Sequence, residues 1–367
     1  MPGIKRFLVK FLILAVLLLG LPLLGVWLAG YPVAEYLEFP PQTRHVHHQP
    51  FSWFAFILYA LFISALLTAL IIIGFRSRPK VECESRPAGS FPWWGWLGLI
   101  LAMAFWLMAW TRFRWFAALQ PHTFTPLWLA FILVINGLGY RHRGHCMLLD
   151  RPLFFLLLFP ISSAFWWFFE YLNRFVQNWY YTGPRLSAWE YFWYATLPFS
   201  TVLPAVLSLR DWLISSRWLR IQFDHLKPLR IPFPKILAAV TLALSAGGLT
   251  VIGIWPNFLF PLIWVAPLLI ILALQTLMGE GHILSGPAAG NWSAAVAAAI
   301  AAVICGLFWE MWNFFSLAKW QYSIPFVQRY QIFEMPLLGY AGYLPFGLQC
   351  AAVGSLLEEI IPPARPT

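Results

Sequence analysis

The stretch CGLFWEMWNFFSLAKWQY, from Cys305 to Tyr322, places a carboxylate and an amide inside a run of aromatic residues. Its length and apolar character are those of a membrane-spanning helix. Glu310 and Asn313 are three residues apart, so we expect both side chains on one face of that helix. An ionised carboxylate in the middle of a bilayer costs at least about 2.5 kcal/mol, so such an acid faces the protein interior or a cavity.

An earlier stretch, FFEYLNRFVQNWYYTGP (168–184), repeats this pattern. With one gap, Glu170 aligns with Glu310 and Asn173 with Asn313. Beyond the gap, Trp179, Tyr181 and Pro184 align with Trp320, Tyr322 and Pro325. Three further pairs of blocks keep the same order in both halves: PLWLA (126–130) with LIWVA (262–266), RGHCML (143–148) with EGHIL (280–284), and EYFWYATLPF (190–199) with EMPLLGYAGYLPF (334–346). Four blocks in one order indicate a tandem duplication.

The composition is that of a membrane protein. Hydrophobic residues make up 60% of the chain and charged residues 10%, and the mean hydropathy is +0.70. Soluble domains carry about 25% charged residues. The 24 Lys and Arg exceed the 14 Asp and Glu, but basic residues collect in the cytoplasmic loops of membrane proteins. We therefore expect no nucleic-acid partner.

Apolar runs of spanning length begin near residues 7, 51, 92, 123, 153, 189, 235, 257, 293 and 336. With the N-terminus inside, seven Lys and Arg lie outside and the other 17 inside, among them the cluster Arg76, Arg78, Lys80 and Arg86. This asymmetry supports both termini in the cytoplasm. The sequence thus predicts an all-α polytopic protein of about ten transmembrane helices in the cytoplasmic (inner or plasma) membrane.

The chain divides into four segments on this interpretation. They are an N-terminal two-helix membrane hairpin (1–80), four-helix repeat A (92–210), a basic cytoplasmic linker (211–234) and four-helix repeat B (235–358). Because each repeat has an even number of spans, the two are parallel, and their pseudo-two-fold axis runs along the membrane normal. The first apolar run (11–29) is longer than a signal-peptide core. We expect a retained span, with a cleaved signal as the alternative.

Each repeat offers two carboxylates near the outer leaflet, brought together by the loop between two spans. Paired carboxylates divide acid and base roles, and aromatic faces stabilise a cation or stack on a ring. The candidate catalytic residues are Glu170 and Glu190 in repeat A and Glu310 and Glu334 in repeat B. The candidate substrate-binding residues are Asn173, Arg174, Trp179 and Tyr181 in repeat A and Asn313, Trp320 and Tyr322 in repeat B.

The two repeats differ next to the amide. Arg174 follows Asn173, whereas Phe314 follows Asn313. Since a guanidinium binds anionic head groups well, repeat A is the favoured active copy. The structural alternative is that each Glu only hydrogen-bonds neighbouring Asn, Trp or Tyr side chains and so locks two helices together.

The sequence predicts no metal site and leaves the cofactor open. Its four cysteines, Cys83, Cys146, Cys305 and Cys350, form no C-x-x-C pair, which argues against a disulfide framework and a thiolate site. His145 and His282 lie at predicted cytoplasmic ends of spans, where a Gly-His turn is expected and a shared metal or haem site is the alternative. The loop RHVHHQP (44–50) could bind a metal adventitiously.

Three functions fit these features. The first is an enzyme that acts on a lipid or isoprenoid by acid–base chemistry. The second is a lipid or small-molecule transporter or flippase with its site at the repeat interface, and the third is a non-catalytic membrane subunit or scaffold. Nucleotide-binding and hydrolase motifs are absent. The expected partners are membrane lipids, with a lipid or isoprenoid as candidate ligand, and the oligomeric state stays open.

Overall fold

The computed structural model of the protein describes residues 2–76, 89–183 and 186–361. Within these ranges the chain is helical apart from its loops and two small antiparallel sheets. Some features noted in the sequence lie outside the described residues, namely Arg78, Lys80, Cys83, Arg86 and Pro184.

The helices follow one another in the order that the apolar runs predict. The N-terminal part contains α1 (Pro2–Ala15), a π-helical turn (Val16–Gly20), α2 (Leu21–Leu28), α3 (Val33–Leu37) and α4 (Trp53–Arg76). We call residues 92–210 the first half. Its elements are α5 (Trp93–Trp110), α6 (Phe124–Arg143), α7 (Met147–Asp150), α8 (Pro152–Val176), β1 (Trp179–Thr182), α9 (Ala188–Phe199) and α10 (Val202–Ile214), the last of which extends four residues beyond it.

A short helix, α11 (Arg217–Phe223), lies in the linker that leads to the second half, residues 235–358. The helices of the second half are α12 (Pro234–Thr250), α13 (Pro256–Leu259), α14 (Leu262–Met278), α15 (Ser285–Ala288), α16 (Ser293–Phe314) and α17 (Tyr343–Glu358). Between the last two lie β2 (Lys319–Tyr322), β3 (Gln331–Ile332), β4 (Met335–Pro336) and a 3-10 helix (Leu337–Gly342).

Seven helical segments of the described residues are long and apolar enough to cross a membrane. They are Val9–Leu28, Trp53–Ile72, Trp93–Trp110, Gln120–Arg143, Pro152–Val176, Ala188–Ile214 and Ser293–Phe314. A helix follows each of the ten predicted starts, but α12 and α14 have 17 residues and α17 has 16. A 17-residue helix is about 26 Å long, somewhat less than the hydrocarbon thickness. The all-α membrane class is confirmed, and the number ten stays a prediction.

The helices pack in two similar groups. In the first half, α5 lies against α6, and α10 lies against α6 and α8. In the second half, α12 lies against α14, and α17 lies against α14 and α16. The groups meet where α10 packs along α16.

Small residues let α16 and α17 approach closely. The first half of α16 reads SAAVAAAIAA, which favours a helix and adds little side-chain bulk. A Cβ on Gly347 of α17 would lie 2.0 Å from the carbonyl oxygen of Ala298 on α16. Interfaces of small residues are typical of helices that associate within lipid, where the hydrophobic effect does not drive them together.

Two antiparallel strands join the C-terminal ends of α8 and α16. β1 pairs with β2 in the register Trp179–Tyr322, Tyr180–Gln321, Tyr181–Trp320 and Thr182–Lys319. Because each strand follows its helix within a few residues, both helix ends lie at the same end of the molecule. We call this end the ribbon face.

The helices of the predicted N-terminal hairpin lie at different places. α2 packs on α12, whereas α4 contacts α11 and the 3-10 helix Leu337–Gly342. No residue from 53 to 72 is buried. Ring contacts of Phe56 with Tyr330 and of Tyr59 with Phe260 attach the first turns of α4 to the second half. α4 is therefore a peripheral helix with open space beside it.

Candidate functional site

Glu170 lies on α8 near the ribbon face, and three donors hold its carboxylate. Oε1 accepts hydrogen bonds from Trp166 Nε1 at 3.0 Å, from Trp179 Nε1 at 3.0 Å and from Tyr181 OH at 2.6 Å. Trp166 is one helical turn before the acid, and Trp179 and Tyr181 share one face of β1. Desolvation at the site, together with the nearby carboxylate, raises the pKa of Tyr181 above its usual range, and the phenol, although 38% exposed, stays protonated and donates.

Glu310 on α16 is enclosed by phenols instead. Its Oε1 accepts from Tyr322 OH at 2.7 Å and from Tyr343 OH at 2.9 Å. Trp320 Nε1 donates to Tyr322 OH at 2.9 Å, so the Tyr322 proton is directed to the acid. Glu310 is 0% exposed, and within the described residues its Oε2 has no hydrogen-bond partner.

The two asparagines hold the strands rather than the acids. Asn173 Nδ2 donates to the Trp179 carbonyl at 2.8 Å, and its Oδ1 accepts from the Trp179 N–H at 3.4 Å. Asn313 makes the same two bonds with Trp320, at 2.8 Å and 3.0 Å. Each amide thus ties the last turn of its helix to a strand, and it positions the indole and phenol donors of that strand.

A third aromatic side chain completes each site, and it comes from a different place in the two halves. In the first half it is Trp166, and the residue before the Leu-Pro-Phe of α9 is the small Thr196. In the second half the position aligned with Trp166 is Gly306, and the residue before Leu-Pro-Phe is Tyr343. A Cβ on Gly306 would lie 2.4 Å from the ring of Tyr343. The ring of Tyr343 therefore occupies the space that an indole fills in the first half.

Contacts between the halves are reciprocal. Trp264 of α14 packs on Phe169 and Trp179 of the first half, with ring centroids 5.2 Å and 5.6 Å apart. Trp128, which aligns with Trp264, packs on Trp309 of the second half at 5.0 Å. In the ribbon, Tyr180 pairs with Gln321, the residue with which it aligns. Such self-complementary pairing is what a two-fold axis through the ribbon produces.

A cavity of about 1850 Å³ lies between the two halves at the ribbon face. Glu170 lines it, whereas Glu310 does not. Since all three donors act on Oε1 of Glu170, Oε2 is the oxygen left for the cavity. Other predicted binding residues also line it, namely Asn173, Arg174, Trp179, Tyr181, Trp320 and Tyr322.

One side of the cavity runs along α4. The side chains that line it there are Tyr59, Phe62, Ile63, Leu66 and Leu70. Their spacing of three or four residues marks one helix face, and the distance from the first to the last is about 16 Å along the axis. The opposite wall is also apolar and comes from the second half, with Phe260, Val265, Leu344 and Leu348. The cavity thus combines a polar end at the ribbon face with a long apolar groove.

The remaining predicted site residues are engaged elsewhere. Glu190 completes a capping box at the start of α9, where its Oε2 accepts from the N–H and hydroxyl of Ser187 at 2.9 Å and 2.7 Å. Glu334 pairs with Lys319 at 2.5 Å. The structure therefore does not bring a second carboxylate to either central acid through a hydrogen bond among the described residues.

Arg174 lies beside the cavity but binds groups of the N-terminal part. Its Nη2 donates to the carbonyl of Glu35 at 2.7 Å and lies 3.5 Å from Glu38 Oε2. Its Nε is buried and has no partner within the described residues.

The loop of residues 38–52, which we call the strap, crosses the ribbon face and binds both halves. His48 contacts the Val176 carbonyl through Nε2 at 2.8 Å and the Ser323 hydroxyl through Nδ1 at 2.6 Å. Gln177 Oε1 accepts from two strap N–H groups, at 3.0 Å each. Burial lowers the pKa of His45 and of His48 below the usual 6.5. Both are therefore neutral at pH 7 and serve as hydrogen-bonding side chains.

His145, His282 and the described cysteines are placed apart from the site. His145 lies 3.5 Å from Asp150, and His282 accepts from the Leu284 N–H at 3.2 Å, as expected of local loop-closing turns. Cys146, Cys305 and Cys350 are buried free thiols. No group of three or more His, Cys, Asp or Glu in the described ranges is placed to hold a metal ion.

Sequence reasoning missed several residues that shape the site. Tyr343 and Thr196 precede the repeated Leu-Pro-Phe, so comparison of the two halves at that position would have found them. His48 gave no signal, because its partners lie 128 and 275 residues away. Lys10 was also missed, because it lies in an apolar run that the sequence predicts to be a membrane span. It is 2% exposed and forms ion pairs with Glu280 and Glu359, each at 2.8 Å.

The described structure is that of an aromatic-rich, helical integral membrane protein with two similar carboxylate sites, one of which opens to a large cavity. No protein-family model, curated protein or solved structure matches the chain.

Proposed function

We propose that this protein is a membrane-embedded enzyme that acts on a lipid or isoprenoid by acid–base chemistry, with Glu170 as the acid or base. One observation carries the proposal: three donors hold Oε1 of Glu170 and leave Oε2 to a cavity with an apolar groove. An indole N–H only donates hydrogen bonds. A proton on this carboxyl group therefore resides on Oε2, where a bound substrate meets it.

The roles of the two acids differ in this proposal. Glu170 exchanges the proton with the substrate, while Trp166, Trp179 and Tyr181 stabilise the carboxylate that remains. Glu310 has the same origin through duplication of a four-helix unit, and it acts as a structural link between α16, β2 and α17. The shared Asn–strand bonds, the reciprocal tryptophans and the ribbon register support the duplication.

The topology proposed with this function puts both termini in the cytoplasm and the ribbon face outside. The substrate head would then bind near the outer leaflet, and its chain would lie along α4. The excess of basic residues on the opposite side supports this orientation.

The proposal is tested with Glu170→Gln and its matched control Glu310→Gln. A glutamine keeps the Oε1 acceptor, so we expect both variants to fold. Mass spectrometry of lipids that co-purify with each protein should show an altered set of species in Glu170→Gln, with unreacted substrate enriched, and an unchanged set in Glu310→Gln. Identical lipid profiles in wild type and Glu170→Gln would count against lipid chemistry.

The groove along α4 favours a second candidate, a lipid carrier or flippase, because its length of about 16 Å covers roughly half the bilayer core. Reconstitution into liposomes separates the two. A carrier moves a labelled lipid between leaflets without changing it, whereas an enzyme yields a new species.

A further inference from the structure

No cation among the described residues donates a hydrogen bond to the carboxylate of Glu170. Within the part of the chain that the structure describes, its hydrogen-bond partners are the neutral indoles of Trp166 and Trp179 and the phenol of Tyr181. Arg174, one turn further along α8, interacts with Glu170 only through space, because its guanidinium donates to the Glu35 carbonyl and lies 3.5 Å from Glu38 Oε2. A carboxylate that is 6% exposed and has no directly bonded counter-ion attracts a positive charge in the cavity that it lines.

Aromatic rings from both halves surround the same space. Trp166, Trp179, Trp264 and Trp309 all line the cavity. Trp179 lies 5.6 Å from Trp264, and Trp166 lies 6.4 Å from Trp179 and 6.3 Å from Trp309. The faces of indole rings carry negative electrostatic potential and stabilise cations, more strongly where water is excluded.

The basic side chains of the cavity wall are engaged or lie at its edge. Lys319 pairs with Glu334 at 2.5 Å, and Arg44 stacks 3.2 Å above the ring of Tyr180, which points to the side of β1 opposite to Trp179 and Tyr181. An anionic group placed at Glu170 would therefore meet a like charge and aromatic faces, and the nearest guanidinium, that of Arg174, already lies against Glu35 and Glu38.

We propose that the cavity at Glu170 binds a positive charge carried on an apolar chain. This inference rests on the proposed function, because it takes the cavity as the substrate site. The charge has two chemical sources: the quaternary ammonium head group of a lipid, or a carbocation formed from an isoprenoid during the reaction.

The second source involves a complete proton cycle. Oε2–H of Glu170 protonates an alkene: the π electron pair forms a new C–H bond, the O–H bond breaks, and a carboxylate and a tertiary carbocation result. The cation then loses a proton from a neighbouring carbon to the same carboxylate, which regenerates the acid and an isomeric alkene. No oxidant or further reactant is needed.

A pair of photoreactive probes tests the charge directly. Both have a twelve-carbon chain with a diazirine, and one ends in trimethylammonium while the other ends in the isosteric, neutral tert-butyl group. The protein is labelled in lipid nanodiscs, and mass spectrometry compares labelling of the cavity side of α4 and α17 with labelling of the outer face of α5. We expect the ammonium probe to label the cavity about tenfold more than the neutral probe, a ratio that a desolvated cation–π contact alone can supply.

Three variants sharpen this measurement. Glu170→Gln should lose most of the preference for the charged probe, while Glu310→Gln should keep it, because Glu310 does not line the cavity. Trp264→Leu, which leaves the acid in place, should lower the preference several-fold. The wild-type comparison alone stays decisive if a variant does not fold.

The outcomes separate this inference from the proposed function. Equal labelling of the cavity by both probes would overturn the cation site and leave a lipid-binding cavity intact. Labelling of the cavity no stronger than that of α5 by either probe would overturn both. Displacement of the ammonium probe by phosphatidylcholine supports a head group, and deuterium uptake by added squalene in D2O supports a carbocation.

Discussion

Glu170 and Glu310 stand at aligned positions, yet their second carboxylate oxygens have different surroundings. Trp166 and Thr196 leave Glu170 open to the cavity, whereas Gly306 and Tyr343 enclose Glu310. In both places the acid has three indole or phenol groups close by, and only the helix that supplies the third donor changes. At the residue scale, one exchange of a large and a small side chain therefore distinguishes an open acid from a buried one.

This exchange predicts a non-additive effect on stability. Gly306→Trp alone should lower the free energy of unfolding by about 1–3 kcal/mol or more, because the indole overlaps the Tyr343 ring. Tyr343→Thr alone leaves a hole and removes a donor from Glu310. The double variant rebuilds the Trp–Thr pair of the first half. Its melting temperature should therefore be higher than the value obtained by adding the shifts of the two single variants. Thermal unfolding in detergent, followed by tryptophan fluorescence, measures the difference. Additive shifts would show that the two positions do not exchange roles.

At the element scale, the ribbon and the strap control how the two halves meet. β1 and β2 supply three donors to the two acids, and a fourth group, Trp320, donates to Tyr322. The strap contacts the ribbon and its neighbours through His48 and Arg44. Phe39 and Phe51 anchor the two ends of the strap through ring contacts, and polar bonds to α8 and to the segment after β2 hold its middle. It is therefore the element at the ribbon face most sensitive to a change of protonation.

We expect the strap to loosen in acid. In the closed state the strap lies on the ribbon face, and burial there holds the pKa of His48 and His45 below 6.5; in an open state, with the strap released, both pKa values return to about 6.5. Above that pH the two histidines are neutral in both states, and the strap bonds stabilise the closed state in full. As the pH falls below 6.5, the open strap takes up protons more readily than the closed one, and the closed form loses stability. Hydrogen–deuterium exchange of residues 44–49, corrected for the intrinsic rate, should be faster at pH 5 than at pH 7.5.

A neutral replacement provides the control for this prediction. In His48→Gln the amide retains a donor and an acceptor but does not titrate, so the difference between the two pH values should shrink. An unchanged pH response in this variant would assign the effect to other groups.

At the scale of the whole molecule, the ribbon face and the basic linker lie at opposite ends. β1 leads directly into the segment Ala188–Ile214, which is about 40 Å long and ends next to α11. A water-soluble reagent should therefore reach a strap residue and an α11 residue from opposite sides of the membrane.

Cysteine labelling tests this topology. In a background without the four native cysteines, His47→Cys should react with a membrane-impermeant maleimide added to intact cells. Arg217→Cys, on the exposed side of α11, should react only after the membrane is permeabilised. The opposite pattern would reverse the proposed orientation, and labelling of both from outside would contradict a continuous span between them.

Much of the architecture was accessible from the sequence, because membrane helices are encoded locally. The apolar runs located the seven helical segments of spanning length, and the repeated Glu, Asn, Trp and Tyr led to the residues that form both carboxylate sites. The sequence did not reveal that Glu190 serves as a helix cap or that Glu334 pairs with Lys319. Nor did it reveal that three second-half helices, α12, α14 and α17, have only 16 or 17 residues, or that most of WPNF (255–258) forms the separate short helix α13.

The sequence by itself determined the membrane class, the order of the helices and the identity of the two acids, since each depends on composition or on spacing within one segment. Only the tertiary structure decided which acid is accessible. That depends on Tyr343 of α17 lying against Gly306 of α16, on Trp264 crossing to the first half, and on α4 standing apart to leave a groove. These contacts join residues far apart in the chain, and their energies arise only when the helices pack.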